Sequence, residues 1–256
     1  LYFGILIVSG SLMVRITALI TLLLIITNCN KIVDPQRIID KAIENHGGNN
    51  YENFKASFDF RDRHYVLEHR HGLFQYERHF TQDSVRIKDI LNNEGYKRYL
   101  DGLDITDTVK KADAYERSVN SVAYFALLPY RLNDPAVNKS YLGTGEIAGE
   151  PYHKILVTFD QEGGGEDYTD EFVYWIHTGN LTMDYIAYTY YTDGGGKRFR
   201  APVNVRTVGG IRFADYLNYK ELDENIGIQD YDRQYNQGRL ELLSEIELEN
   251  LEVHSD

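Results

Sequence analysis

Between residues 197 and 208 the chain reads KRFRAPVNVRTV. Polarity alternates with period two, so Phe199, Ala201, Val203 and Val205 share one face of an extended strand, and Arg198, Arg200, Asn204 and Arg206 share the other. Same-face residues stand about 6.6–7 Å apart, and the pattern predicts a row of three guanidinium groups. Such a row could grip an anionic head group, because arginine forks a carboxylate or phosphate with two hydrogen bonds. On an earlier stretch, FDFRDRHY, Asp59, Arg61 and Arg63 share a face and could do the same. The plainer alternative is a solvated face whose arginines pair with acids such as Asp184 or Asp59.

Other groups carry weaker signals. His64, His69, His71 and His79 cluster in sequence, but no HExxH-type spacing accompanies them, and no metal is expected. The triplets Gly163–Gly165 and Gly194–Gly196 lack the Lys-Ser/Thr of a phosphate loop and read as hairpin tips. Glu162, Glu166, Asp167, Asp170 and Glu171 lack the spacing of a calcium loop and read as a solvated acidic turn. There is no GxSxG elbow, and no cofactor is expected. Paired carboxylates for hydrolysis stay open, because the sequence does not give their separations.

The single cysteine, Cys29, excludes an intrachain disulfide and a thiolate cluster. It ends an apolar run. From Met13 onward, Arg15 forms a short basic region and Ile16–Ile26 a hydrophobic one, of signal-peptide length and short of the roughly 20 residues a membrane span needs. Residues 1–12 read as an upstream extension, an uncleaved N-terminal helix being the alternative. Ile26-Thr27-Asn28-Cys29 resembles a bacterial lipoprotein signal, departing from it at Asn28, where Gly, Ala or Ser is usual. The resemblance implies cleavage before Cys29 and a lipid on its sulfur; at about 0.8 kcal/mol per buried methylene, two or three acyl chains anchor a protein durably. Asn30, with no acidic cluster after it, favours by analogy the outer membrane, facing the periplasm.

Charge narrows the partners. The chain has 27 Lys+Arg and 39 Asp+Glu, a net charge of −12. Without residues 1–28, whose one charged residue is Arg15, 26 stand against 39, or −13. No basic block offsets this, so nucleic acid is not an expected partner. A membrane, reached through the lipid, and an amphiphilic ligand are; the sequence names no protein partner.

The elements that must position these residues are mostly strands. Twenty-one tyrosines and short alternating segments mark a sheet-rich protein. Asp34 and Pro35 open a helix that Gly47-Gly48 closes, with Ile38, Ile39, Ala42, Ile43 and His46 on one face. A second helix is expected over Thr106–Leu128, stopped by Pro129. Residues 53–80 read as two strands joined near His71-Gly72, followed by a hairpin around Asn92–Gly95. Six strands follow, then an irregular Glu221–Gly238, then RLELLSEIELENLEV as a strand or a short helix. This predicts an α+β fold: a curved antiparallel sheet, an unclosed half-barrel, with two main helices against its concave face.

The stretches KAIENHGG, FDFRDRHY, LPYRLNDP, WIHTGNLTMDYIAYTY, GGGKRFRAPVNVRTVGGIRFADYLNY and LLSEIELENLEV resemble an uncharacterised family of bacterial lipoproteins seen mainly in Bacteroidetes. That family is similar to the LolA/LolB (lipoprotein-localisation factor) class of fold, an unclosed barrel around helices with a hydrophobic cavity. The resemblance implies residues 1–28 as extension and signal, 29–33 as a lipidated tether, and 34–256 as one LolA/LolB-like domain. The expected function is to hold or carry an amphiphile in the half-barrel. An envelope hydrolase using clustered Asp, Glu and His, or a non-enzymatic assembly module, are the alternatives.

Overall fold

The structure, a computed structural model, describes residues 33–163, 168–191 and 194–254. The chain divides into two units, Leu1–Val33 and Asp34–Asp256, and every helix and strand named below belongs to the second. Cys29 and its lipoprotein-like signal lie outside the described residues, as do Glu166 and Asp167.

Helix α1, Pro35–His46, begins as its sequence dictates. The Asp34 side chain accepts from the Gln36 N–H at 3.0 Å, proline occupies the first turn, and Ile38, Ile39 and Ala42 are buried. It ends where Gly47 lets the Tyr51 ring pack against the backbone; a Cβ there would meet that ring at 2.8 Å.

Six strands then run as a meander: β1 Phe54–Phe60, β2 Arg63–Arg70, β3 Leu73–Gln82, β4 Val85–Asn92, β5 Gly95–Leu100 and β6 Leu103–Asp104. The stretch read as one strand across 53–70 is two, because Arg61 takes a left-handed φ of 58° and reverses the chain. Two-residue turns with positive φ at both positions fix the hairpins at His71-Gly72, Asp83-Ser84 and Asp101-Gly102.

Helix α2 is shorter than expected, Ala112–Ala126. Its proposed start is instead a 3-10 turn, Thr106–Thr108, where the Thr106 N–H and hydroxyl both bond the Asp104 carboxylate.

The remaining strands are β7 Val137–Ile147, β8 Glu150–Phe159, β9 Phe172–His177, β10 Met183–Tyr190, β11 Gly196–Val208, β12 Ile211–Glu221, β13 Leu240–Ile246 and β14 Glu249–His254. They complete two antiparallel seven-stranded sheets, ordered β14-β1-β2-β3-β4-β5-β6 and β13-β12-β11-β10-β9-β8-β7, neither closed into a barrel. The C-terminal segment is thus two strands in different sheets, and the chain crosses between them at Glu247-Leu248.

The first sheet packs Phe54, Phe58 and Leu67 against Val119, Ala123 and Leu127 at α2. The second packs Ile155, Tyr174 and Ile186 against α1. Its other face is also covered. The irregular segment contains a 3-10 turn, Ile228–Asp230, and a third helix, α3 Tyr231–Asn236, which seal Trp175, Val173 and Phe199. Large side chains buried this fully each stabilise the fold by about 1.5–3 kcal/mol. Among the described residues no helix is long and apolar enough to cross a membrane.

Candidate functional site: a cavity under α2

Where β13 leaves one sheet and β14 joins the other, the packing leaves a cavity of about 250 Å³. Ser121, Val122, Phe125 and Ala126 of α2 form one wall, at the i, i+4 spacing that puts them on one helix face. Tyr188, Arg200, Tyr216 and Asn218 of β10–β12 form the opposite wall, and Ile246, Leu248, Phe60 and Arg61 complete it. The walls expose polar and apolar surface in nearly equal measure, and among the described residues the lining contains no carboxylate and no imidazole.

α2 is held over this space by a buried ionic anchor. Arg78 Nε and Nη2 lie 2.8 and 2.6 Å from Asp89 Oδ2, while Arg98 Nε lies 2.9 Å from Oδ1. The Tyr96 hydroxyl donates to the same Oδ1 at 2.5 Å. Arg78 also donates to Ser118 Oγ at 2.8 Å, and the Arg98 guanidinium stacks 3.6 Å from the Tyr115 ring centre. Both α2 residues thereby bind the sheet, and the Ser121–Ala126 face is set across from Arg200.

Arg200 and Asn218 are direct register partners on β11 and β12. The Arg200 guanidinium lies 3.7 Å from the Phe125 ring centre and donates to the Tyr188 hydroxyl at 3.1 Å, while its buried Nε has no partner among the described residues. Asn218 Nδ2 donates to Ser244 Oγ at 3.2 Å, and its buried Oδ1 likewise has no partner. Burial pushes the Tyr216 phenol up to about 12, against the pull of Arg212 and Arg200, so it stays neutral. The cavity therefore presents two cations, Arg200 inside and Arg61 at the rim, with one amide, two phenols and the Ser121 hydroxyl among apolar side chains.

The sequence-derived row of arginines is broken by a bulge. Val203 faces Asp215 and Arg206 faces Phe213, so β11 has one more residue than β12 in this interval and its faces exchange. Arg200 points into the interior, whereas Arg206 shares the face of Val203. There its Nη2 bonds Asp215 at 3.1 Å and the Leu248 carbonyl at 2.7 Å. Asn204, at the bulge with φ 48°, donates to Asp215 Oδ2 at 3.2 Å. These two residues clamp the inter-sheet crossing, since the Leu248 N–H also bonds Asp215, at 2.9 Å.

Of the other residues singled out, Arg198 folds onto Tyr190, 5.0 Å from its ring centre and 2.5 Å from its hydroxyl, outside the cavity lining. Asp59 bonds His64 at 2.7 Å and Asn250 at 2.8 Å and also lies outside the lining. Arg61 stands at the exposed rim, 5.0 Å from the Phe60 ring centre. Asp184, considered as a partner for the row, bonds Arg212 at 2.7 Å.

A family model described as "Family of unknown function (DUF6503)" matches residues 15–248. The chain belongs to that family. No curated protein matches it. Among solved structures it is similar to a LolA superfamily protein from Nitrosomonas europaea, at 10% identity and a TM-score of 0.44 over 87% of this chain and 92% of that one. A DUF1329 family protein from Desulfovibrio piger gives 11% identity and a TM-score of 0.41 over 86% and 93%. A domain assigned to outer-membrane lipoprotein sorting in Vibrio parahaemolyticus gives 10% and 0.43 over 86% and 94%. At such identities and scores, nothing these proteins do passes to this chain.

The histidines part company in three dimensions. His69 is buried between the Tyr51 carbonyl, 2.8 Å, and the Tyr76 hydroxyl, 2.7 Å, and His71 sits in a turn. His64 and His79 face each other across β2 and β3, each bonded to its own carboxylate, Asp59 and Glu77. Among the described residues no three His, Cys, Asp or Glu side chains gather as a metal site requires.

Sequence reasoning missed Asn218 and the Arg78–Asp89–Arg98 anchor. Both leave the same trace, a polar residue two positions from an aromatic on a core-facing register: Tyr216 then Asn218, Tyr76 then Arg78 then Phe80.

Proposed function

We propose that the unit from Asp34 holds one small amphiphile in the cavity between α2 and β10–β13. In the same reading the chain is an envelope lipoprotein: residues 1–28 as extension and signal, 29–33 as a tether lipidated at Cys29, and an outer-membrane position facing the periplasm. The observation that carries the ligand reading is the unmet pair, Arg200 Nε and Asn218 Oδ1, on two residues of a lining that mixes polar and apolar surface. A buried polar group without a partner costs about 1–3 kcal/mol, so two side by side favour a site completed from outside.

The volume limits what fits. At roughly 30 Å³ per water-sized group, 250 Å³ takes about eight groups, one short chain with a head rather than a lipid with two or three long chains. Seven buried carbons at about 0.8 kcal/mol each contribute about 6 kcal/mol, of which association consumes about 4 or more, so the chain alone binds weakly and the head-group contacts must supply the rest. Hydrolysis has no support in this cavity, because its hydroxyls at Ser121, Tyr188 and Tyr216 have no lining base to activate them.

The test is mass spectrometry of the organic extract of protein purified from cells, beside an Ala126→Phe variant whose added ring occupies the cavity. One equivalent of a small amphiphile in the wild type and its loss in the variant is the expected result. A wild-type protein that extracts empty and takes up no amphiphile overturns the proposal.

A further inference from the structure

Four arginines around these walls are paired with acids, and Arg200 is not. Arg78 and Arg98 meet Asp89, Arg206 meets Asp215, and Arg212 meets Asp184. Arg200 instead meets the Phe125 ring, the Tyr188 ring and the Tyr188 hydroxyl, none of which carries a charge. The second cation of the lining is Arg61, and no acid among the described residues accompanies either in it. In a chain of net charge −12 this is a locally cationic cavity, and a neutral ligand would leave the Arg200 charge uncompensated.

We infer that the ligand is a single-chain carboxylic acid, bound as its anion, with the carboxylate on Arg200 and Asn218 and about eight carbons inside the cavity. This rests on the amphiphile reading above. The free Nε–H of Arg200 supplies one donor of the fork that matches a carboxylate. Asn218 supplies the second. Its Ser244 partner is a hydroxyl, which donates as readily as it accepts, so the amide can turn Nδ2 towards the ligand and keep that bond. The chain of the acid then runs along Phe125, Ala126, Ile246 and Leu248, and a longer one leaves past Arg61 at the rim.

The experiment titrates the full chain, in a non-ionic detergent with protein-free micelles as the blank, with octanoate, 1-octanol and methyl octanoate. These share a chain and differ in the head. Octanoate is expected to bind at least tenfold more tightly than the other two, and Arg200→Gln to remove that preference. Equal affinity of wild type for octanoate and its methyl ester overturns the carboxylate inference and leaves the amphiphile reading standing. Binding of none of the three overturns both. A preference that survives Arg200→Gln overturns the assignment to Arg200. If that variant does not fold, the acid–ester comparison on wild type still decides the matter.

Discussion

His46, at the end of α1, makes the fold acid-sensitive, and the size of the effect comes from its surroundings. Its Nε2 accepts the Met183 N–H at 3.0 Å, which puts the proton of the neutral ring on Nδ1. Among the described residues Nδ1 has no well-formed partner, and the Arg212 guanidinium lies 3.5 Å from Nε2. Burial, and then the Arg212 charge, lower the imidazole from 6.5 to about 3, the nearby Leu128 carbonyl offsetting them only in part. A depressed folded-state value means that the contribution is complete above the unfolded value and is lost as pH falls, because only the unfolded chain takes up the proton. From pH 7 to pH 5 the loss is about 2 kcal/mol, and the slope approaches 1.36 kcal/mol per pH unit. Carboxylates act in a lower window: burial raises Glu77, but His79 and Lys88 outweigh it and bring it to about 2, so its contribution fades only below its usual 4.5. Burial also lowers His69 and His153, which add a slope of the same sign. Urea unfolding followed by Trp175, the sole tryptophan and fully buried, measures this directly. In His46→Gln the amide oxygen can still accept from Met183 but does not titrate, and most of the loss between pH 7 and 5 is expected to vanish. Equal losses in the two proteins would refute the reasoning.

The same contacts set three further outcomes. Asp89→Asn leaves the Arg78 and Arg98 charges buried without a counter-ion and is expected to cost about 3–5 kcal/mol in denaturant unfolding. Arg206→Ala removes the clamp on Asp215 and Leu248 and is expected to cost about 1–3 kcal/mol, with octanoate affinity unchanged; a selective loss of affinity would restore Arg206 to the site. Cys29→Ala is expected to abolish incorporation of a clickable fatty acid in cells, and equal labelling of both proteins would end the lipoprotein reading.

Much of the architecture was legible because it is written in local rules. The α1 cap, the alternating strands and the turn residues at His71-Gly72 each depend on a few neighbouring residues. What failed needed distant ones. The start of α2 yields to an Asp104 carboxylate that captures Thr106, a competition that helical periodicity does not register. Glu221–Gly238 looked irregular because α3 has only six residues, too few to show a period, and takes its place by covering Trp175 and Phe199. The C-terminal segment left strand and helix equally open, since its two strands belong to different sheets and share no common face.

The candidate site shows the same division more sharply. Period-two alternation correctly put Arg200 opposite Phe199, but extending it six residues to Arg206 assumed an unbroken ladder. The bulge between Val203 and Arg206 breaks it, and two arginines that look equivalent in sequence acquire opposite surroundings. Arg206 meets a carboxylate and a carbonyl and holds the sheets together; Arg200 meets an aromatic ring and keeps a free Nε. Neither fate can be read from the residue type. Both depend on where Asp215 and Leu248 arrive, and they arrive from β12 and from the crossing into β14. A ligand-binding arginine in a sheet of this kind is therefore best sought by asking which interior guanidinium the fold has left without an acid.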